Sequence, residues 1–163
     1  MDAMTALRSR KSIRKYESRP VLREALENMI DCARLAPSAN GLQPWEFVVV
    51  TERPMLDRLA DINAFGKFLH EATAAVVVLS RDAKYYLEDC SSAAHALMIA
   101  ATAQGLGTCW IAGDKKPYAD DIRRLVGAPD GFKLIATVAV GHPAEDPERD
   151  KRPLSEVLHW ERF

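Results

Sequence analysis

Hydrophobic positions along the chain change period several times, and each change marks an element. From Val21 to Leu35 the apolar residues Leu22, Leu26, Met29, Ile30 and Ala33 recur at three- and four-residue spacing, between Pro20 and Pro37. That spacing places them on one face of an amphipathic helix bracketed by proline. Three β-branched runs, Glu46–Thr51, Ala74–Ser80 and Lys133–Gly141, predict strands buried on at least one face. Between the second and third runs lies SSAAHALMIAATAQGLG, opened by Asp89, Ser91 or Ser92 as a cap and closed by Gly105. Its residues are small or apolar nearly all round, which predicts a helix in the middle of the fold rather than on its surface. Weaker helical signals cover Met55–Ile62 and Pro117–Val126, and Gly107–Ile111 reads as a short strand feeding the latter. Interleaved helices and strands predict a mixed α/β layer fold, with the strand order left open by the pattern.

Composition narrows the picture. A length of 163 residues with 48% hydrophobic content suits one folding unit with a substantial core. Balanced charge, 22 basic against 23 acidic residues, gives no global field for nucleic acid or anionic lipid, so any anion must meet a local cluster. Arg8, Arg10, Lys11, Arg14 and Lys15 are not followed by a continuous apolar run, so no signal peptide is expected. No apolar stretch is long enough to span a bilayer. Three cysteines, Cys32, Cys90 and Cys109, form no close pair, which suits a reducing cytoplasm. His70, His95, His142 and His159 lack metal-ligand spacing, and His95 reads as a core histidine. Neither GxGxxG, a P-loop nor GxSxG occurs, which argues against a Rossmann dinucleotide site and triad hydrolysis.

Three segments remain for chemistry. The first pairs SRKSIRKY, with Arg10, Lys11, Ser12 and Arg14, and DKRP, with Lys151 and Arg152. Such groups make either a solvated basic face or one anion pocket, in which guanidinium forks and a hydroxyl bind phosphate oxygens. The second is the loop APSANGLQPWEF, where Asn40 and Gln43 can meet the polar edge of a planar heterocycle or simply join helix to strand. The third is GLGTCWIAGD: Gly105 caps a helix, Trp110 is a core residue, and backbone near Ala112 and Gly113 can approach a ring closely. Phe65, Phe68, Tyr85 and Tyr86 either wall a substrate space or belong to the core.

Taken in order, SRKSIRKY, APSANGLQPWEF, AAHALMIAATAQGLGTCWIAG, VAVGHPAE and KRPLSEVLHW resemble the nitroreductase family of flavoproteins over nearly the whole chain. The resemblance implies one domain over residues 1–163 with an α+β, three-layer α/β/α fold. Its central sheet would be mixed, mostly antiparallel, flanked by helices with a buried central helix, in a domain-interlocked homodimer. It implies FMN as cofactor, its phosphate held by Arg10, Lys11, Ser12 and Arg14 together with Lys151 and Arg152. Pro37, Ser38, Ala39, Asn40 and Gln43 would come from the other subunit to line the isoalloxazine, and amides around Ala112 and Gly113 would face its pyrimidine edge and N5. The implied reaction passes hydride from NADH or NADPH through flavin N5 to a nitroaromatic, quinone or similar acceptor in a ping-pong cycle, with no catalytic side chain and no metal. Alternatives on the same scaffold are dehalogenation, enoyl or azoline oxidation, flavin fragmentation, or FMN storage without turnover. Asp61–Glu71 and Arg81–Glu88 are short beside larger relatives, so no substrate contact is implied.

Overall fold

The computed structural model describes residues 1–148 and 150–163. Nine regular elements follow one another: α1 (Ala3–Ser9), α2 (Arg23–Ala33), β1 (Trp45–Val50), α3 (Arg53–Ile62), β2 (Ala74–Ser80), α4 (Tyr86–Ala103), β3 (Gly107–Ala112), α5 (Ala119–Leu125) and β4 (Lys133–Gly141). The strands form one sheet in the order β1-β2-β4-β3, every named pair antiparallel. Outside these strands, an isolated parallel bridge joins Ser12 to Thr108 at the β3 edge, while the sheet itself is antiparallel rather than mixed.

The two central strands explain the layers. Side chains alternate across a strand, and both faces of β2 and β4 are buried, which is why their sequences read as continuous apolar runs. Ala74, Val76, Val78, Val138 and Val140 pack against Leu26, Met29 and Ala33 of α2 and Ala94, Leu97 and Met98 of α4. Ala75, Val77, Leu79 and Ala139 pack against Leu56, Leu59 and Ala60 of α3, Ile122 of α5 and Leu69. Helices therefore cover both sheet faces, giving the expected α/β/α arrangement.

Helix α4 buries one stripe, including Cys90, Ala93, Ala94, Leu97, Met98 and Ala101, against the sheet. Its opposite side is open in the single chain. His95, expected in the core, stands on that side and is exposed, because small residues all round leave an apolar pattern without saying which face meets the sheet. The helix begins at Tyr86, a turn before the serines expected to cap it. At its other end Leu106 N donates to Ala101 O and Gly105 N to Thr102 O, with Gly105 at φ 76°. This is a Schellman closure, and the left-handed backbone it needs favours glycine.

Helix α1 was not legible as a period, since only Ala6 in it is buried. Asp2 makes it: the carboxylate accepts from Met4 N and Thr5 N, both at 3.1 Å. The loop 142–152 includes Arg149, which lies outside the described residues. Among the described residues no helix is long and apolar enough to cross a membrane.

Cys32 and Cys90 are free thiols in different surroundings, the first exposed and the second buried. Burial pushes the Cys90 thiol up to about 11, against the opposing pull of a Ser80 hydrogen bond. Since the thiolate is the nucleophile, Cys90 stays inert at neutral pH whereas exposed Cys32 is accessible. Iodoacetamide at pH 8 is expected to alkylate Cys32 in the folded protein and spare Cys90. Peptide mass spectrometry reads this, and equal labelling of both would contradict the buried placement.

Candidate functional site

The N-terminal basic segment is sewn to the edge of the sheet. Ile13 N donates to Thr108 O at 2.9 Å beside the Ser12 bridge, and Gly107 leaves room for the Ile13 side chain. A Cβ on Gly107 would sit 2.8 Å from Ile13 Cγ1. The other side of the segment is clamped by the chain leaving β4. Glu145 accepts from Arg14 N at 2.6 Å and Lys15 N at 3.2 Å, Ala144 N donates to Lys15 O, and Glu17 N donates to His142 O. The Tyr16 hydroxyl donates to Ile13 O, and burial holds it well above the ordinary tyrosine range.

This scaffold sorts the basic side chains. Lys11 is paired with Asp146, so part of its charge is already neutralised. Arg14 is exposed, its guanidinium 5.9 Å from the Phe68 ring centroid, and Arg10 is half-buried. Neither arginine makes an ion pair among the described residues, and the half-buried Ser12 lies between them in sequence. Lys151 and Arg152 are exposed on the C-terminal segment, where Arg152 binds the carboxylate and carbonyl of Glu156. Among the described residues no hydrogen bond or ion pair joins these two to the N-terminal segment, so a single chain does not assemble both clusters into one pocket.

At the far end of β3, hydrogen-bond alternation decides which amide is available. Gly113 N donates to Ile135 O at 2.9 Å, so Gly113 turns toward β4. In an antiparallel ladder the next residue turns away, which agrees with Thr108 O facing outward to Ile13. Ala112 therefore presents its N–H at the free edge, while its carbonyl accepts from Tyr118 Oη at 2.7 Å. Gly113 itself is packed tightly; a Cβ there would lie 2.5 Å from Leu134 Cγ. Asp114 follows, accepting from Tyr86 Oη at 2.9 Å. Lys133 sits 4.0 Å from the Tyr86 ring centroid and pairs with Asp82 at 2.7 Å. The Asp114 hydrogen bond, with a smaller effect of burial, raises the Tyr86 hydroxyl above its ordinary value. This polar group at the α4 N-terminus was hidden in the sequence, although Asp114 adjoins the glycine singled out there.

The loop after α2 forms a short helical turn, Ala39–Gly41, with Pro37 ahead of it. Asn40, Gly41 and Gln43 have φ of 53°, 66° and 46°, in the left-handed region. Two side-chain acceptors hold this conformation: Ser38 Oγ takes Gln43 N at 3.1 Å, and Asp89 Oδ1 takes Ala39 N at 3.0 Å. Asn40 and Gln43 are exposed. The sequence suggested Asp89 only as a helix cap.

The residues present fit a phosphorylated flavin: unpaired guanidiniums beside a hydroxyl at one point of the β3 edge, and an outward amide further along it. Known proteins with this architecture agree. The structure superposes on an FMN-dependent nitroreductase from Clostridium difficile with a TM-score of 0.90, 30% identity and coverage of 98% of this chain and 99% of that one. A Desulfovibrio desulfuricans structure solved in complex with FMN gives a TM-score of 0.88 at 28% identity, covering 100% and 98%. In sequence, the chain is 33% identical over 153 residues to a Methanothermobacter thermautotrophicus protein whose name joins NADH dehydrogenase and NAD(P)H nitroreductase. That match spans 90% of this chain and 80% of the relative. The sequence model described as Nitroreductase family matches residues 7–82 and 63–142. The class is thus that of the oxidoreductases, and the chain belongs to the nitroreductase family.

Proposed function

We propose that the protein is an FMN-dependent, NAD(P)H-oxidising reductase of a small acceptor, a nitroaromatic, a quinone or a similar electron sink, working as a cytoplasmic homodimer. The observation that carries this reading is the pair of unpaired guanidiniums, Arg10 and Arg14, around Ser12 on the segment fastened to β3. When bound, FMN would supply the redox chemistry, carrying reducing equivalents between the nicotinamide and the acceptor in ping-pong order. Arg10 and Arg14 neutralise the phosphate, with Lys11 at reduced strength because of Asp146, and Ser12 donates its hydroxyl. Lys151 and Arg152 join them once a second copy brings the exposed C-terminal segment into place. Ala112 N–H offers a hydrogen bond at the redox end, and Gly113 allows the backbone there to pack against β4. Pro37, Ser38, Ala39, Asn40 and Gln43 of a second copy line the isoalloxazine.

Anaerobic titration of the purified protein with NADH and NADPH, followed in the visible spectrum, tests this. The expected result is a yellow protein whose flavin bleaches with one or both nicotinamides. A yellow protein that neither nicotinamide bleaches makes it an FMN-binding module or a carrier of other flavin chemistry. A colourless protein that takes up no FMN defeats the flavin reading altogether.

A further inference from the structure

Asp89 is only 6% exposed, yet it does not cap its own helix. One oxygen, Oδ1, accepts from Ala39 N at 3.0 Å; the other, Oδ2, is buried with no hydrogen-bond partner among the described residues. Burying a carboxylate with half its acceptor capacity unmet is unfavourable, so the contact it does make must be one the fold needs. That contact reaches fifty positions back along the chain to the first residue of the turn Ala39–Gly41. Asn40 in the turn and Gln43 just after it are in left-handed backbone, a conformation that non-glycine residues keep only where surroundings over-determine it. Ser38 Oγ supplies one restraint, at Gln43 N, and Asp89 supplies the other.

We propose that Asp89 is a positioning residue for the flavin-facing turn: through Oδ1 it fixes Ala39 so that Ser38, Asn40 and Gln43 meet the isoalloxazine in one conformation. This rests on the FMN reading above. It acts from the first turn of α4, so the same helix that packs on the sheet sets the geometry of the loop.

The test uses the full-length protein and FMN itself, with affinity read by quenching of FMN fluorescence. Asp89→Ala is expected to weaken FMN binding on the order of tenfold or more, the scale for losing a charge-assisted hydrogen bond. Asp89→Asn keeps an acceptor for Ala39 and is expected to stay within roughly threefold of wild type, a rescue that general loosening of the core would not give. Ala39→Pro removes the donor from the other side, without touching the core, and Ser38 already has the extended backbone that precedes proline (φ −138°, ψ 148°). It is expected to match Asp89→Ala, and it keeps the test alive if Asp89→Ala does not fold. Wild-type affinity in Asp89→Ala or Ala39→Pro, or an Asp89→Asn as weak as the alanine variant, overturns the proposal. Failure of the FMN reading is recognised separately, as a wild-type protein that takes up no FMN. Amide exchange then decides: Asp89→Ala should speed exchange in residues 38–43 and leave β2 and β4 unchanged, and unchanged exchange in that loop would sink the role.

Discussion

If the protein is the flavin-loaded dimer proposed above, truncation after Asp150 is expected to leave a largely colourless monomer. Residues 151–163 are exposed throughout, and the segment carries Leu154, Val157, Leu158, Trp160 and Phe163. Trp160 is 76% exposed in the single chain, and Phe163, itself exposed, stacks on His159 at 4.1 Å. Burying a large apolar side chain contributes about 1.5–3 kcal/mol, so a segment with five of them has a strong drive to be covered. The chain also offers apolar surface to receive such a segment. A groove of about 800 Å³ between α2 and the β1 edge has an apolar floor that includes Ile30, Phe47 and Val49 and a charged rim of Arg23, Glu27, Asp31 and Arg34, and His95 and Leu87 are exposed on the outer side of α4. The same cut removes Lys151 and Arg152, so assembly and phosphate neutralisation fail together. Sedimentation velocity and the ratio of flavin to protein absorbance measure both. A truncated protein that remains dimeric and yellow would show that the segment contributes neither contact.

The second large effect is expected at the phosphate end. Arg10→Ala should weaken FMN binding by about 1–3 kcal/mol, roughly five- to 150-fold, by removing a charge-assisted hydrogen bond. Arg152→Ala should fall at the lower end of that range. Its guanidinium is exposed and shared with Glu156, so solvent screening and competition reduce its value. Riboflavin supplies the control, since it lacks the phosphate: both variants should bind it as wild type does. Raising salt should narrow the gap between wild type and Arg152→Ala more than that for half-buried Arg10→Ala. Fluorescence titration with FMN and riboflavin at two ionic strengths reads all of this. Unchanged FMN affinity in both variants would leave the basic clusters as a solvated face.

The outcome for the elements shows where local pattern carries information. β4 follows Lys133–Gly141 as expected, because a strand buried on both faces writes its whole length as apolar residues. α2 spans Arg23–Ala33 inside the expected Val21–Leu35, trimmed where Leu22 and Leu35 turn out to be exposed. α1 was invisible since a short helix resting on one alanine has no apolar stripe, and its signal was a single capping aspartate. α4 reads as a helix in the sequence, but uniform small residues give no apolar stripe from which an inner side can be read.

For the site, charge was legible and pairing was not. Arg10, Lys11 and Arg14 look equivalent as sequence, and the return of the chain after β4 brings Asp146 to Lys11, while neither arginine has an ion pair among the described residues. Likewise Ala112 and Gly113 look interchangeable until the ladder assigns one amide to Ile135 and turns the other outward. Asp89 touches residue 39 and Asp114 touches residue 86. Contacts so far apart in the chain leave no trace in periodicity, because they depend on how elements pack.

The Ser12 bridge to Thr108 makes β3 a molecular ruler. Thr108, where Ser12 is bridged, marks one graduation and the outward amide of Ala112 marks another, four residues along the strand. A strand advances about 3.4 Å per residue, which puts these marks about 14 Å apart. β4 pairs with β3 from Gly107 to Ala112, so loop movement cannot stretch that interval. With the cofactor placed as proposed, the protein would gauge it by length as well as by charge: a ligand would have to hold its anionic group and its reactive ring apart by a chain long enough to reach both marks.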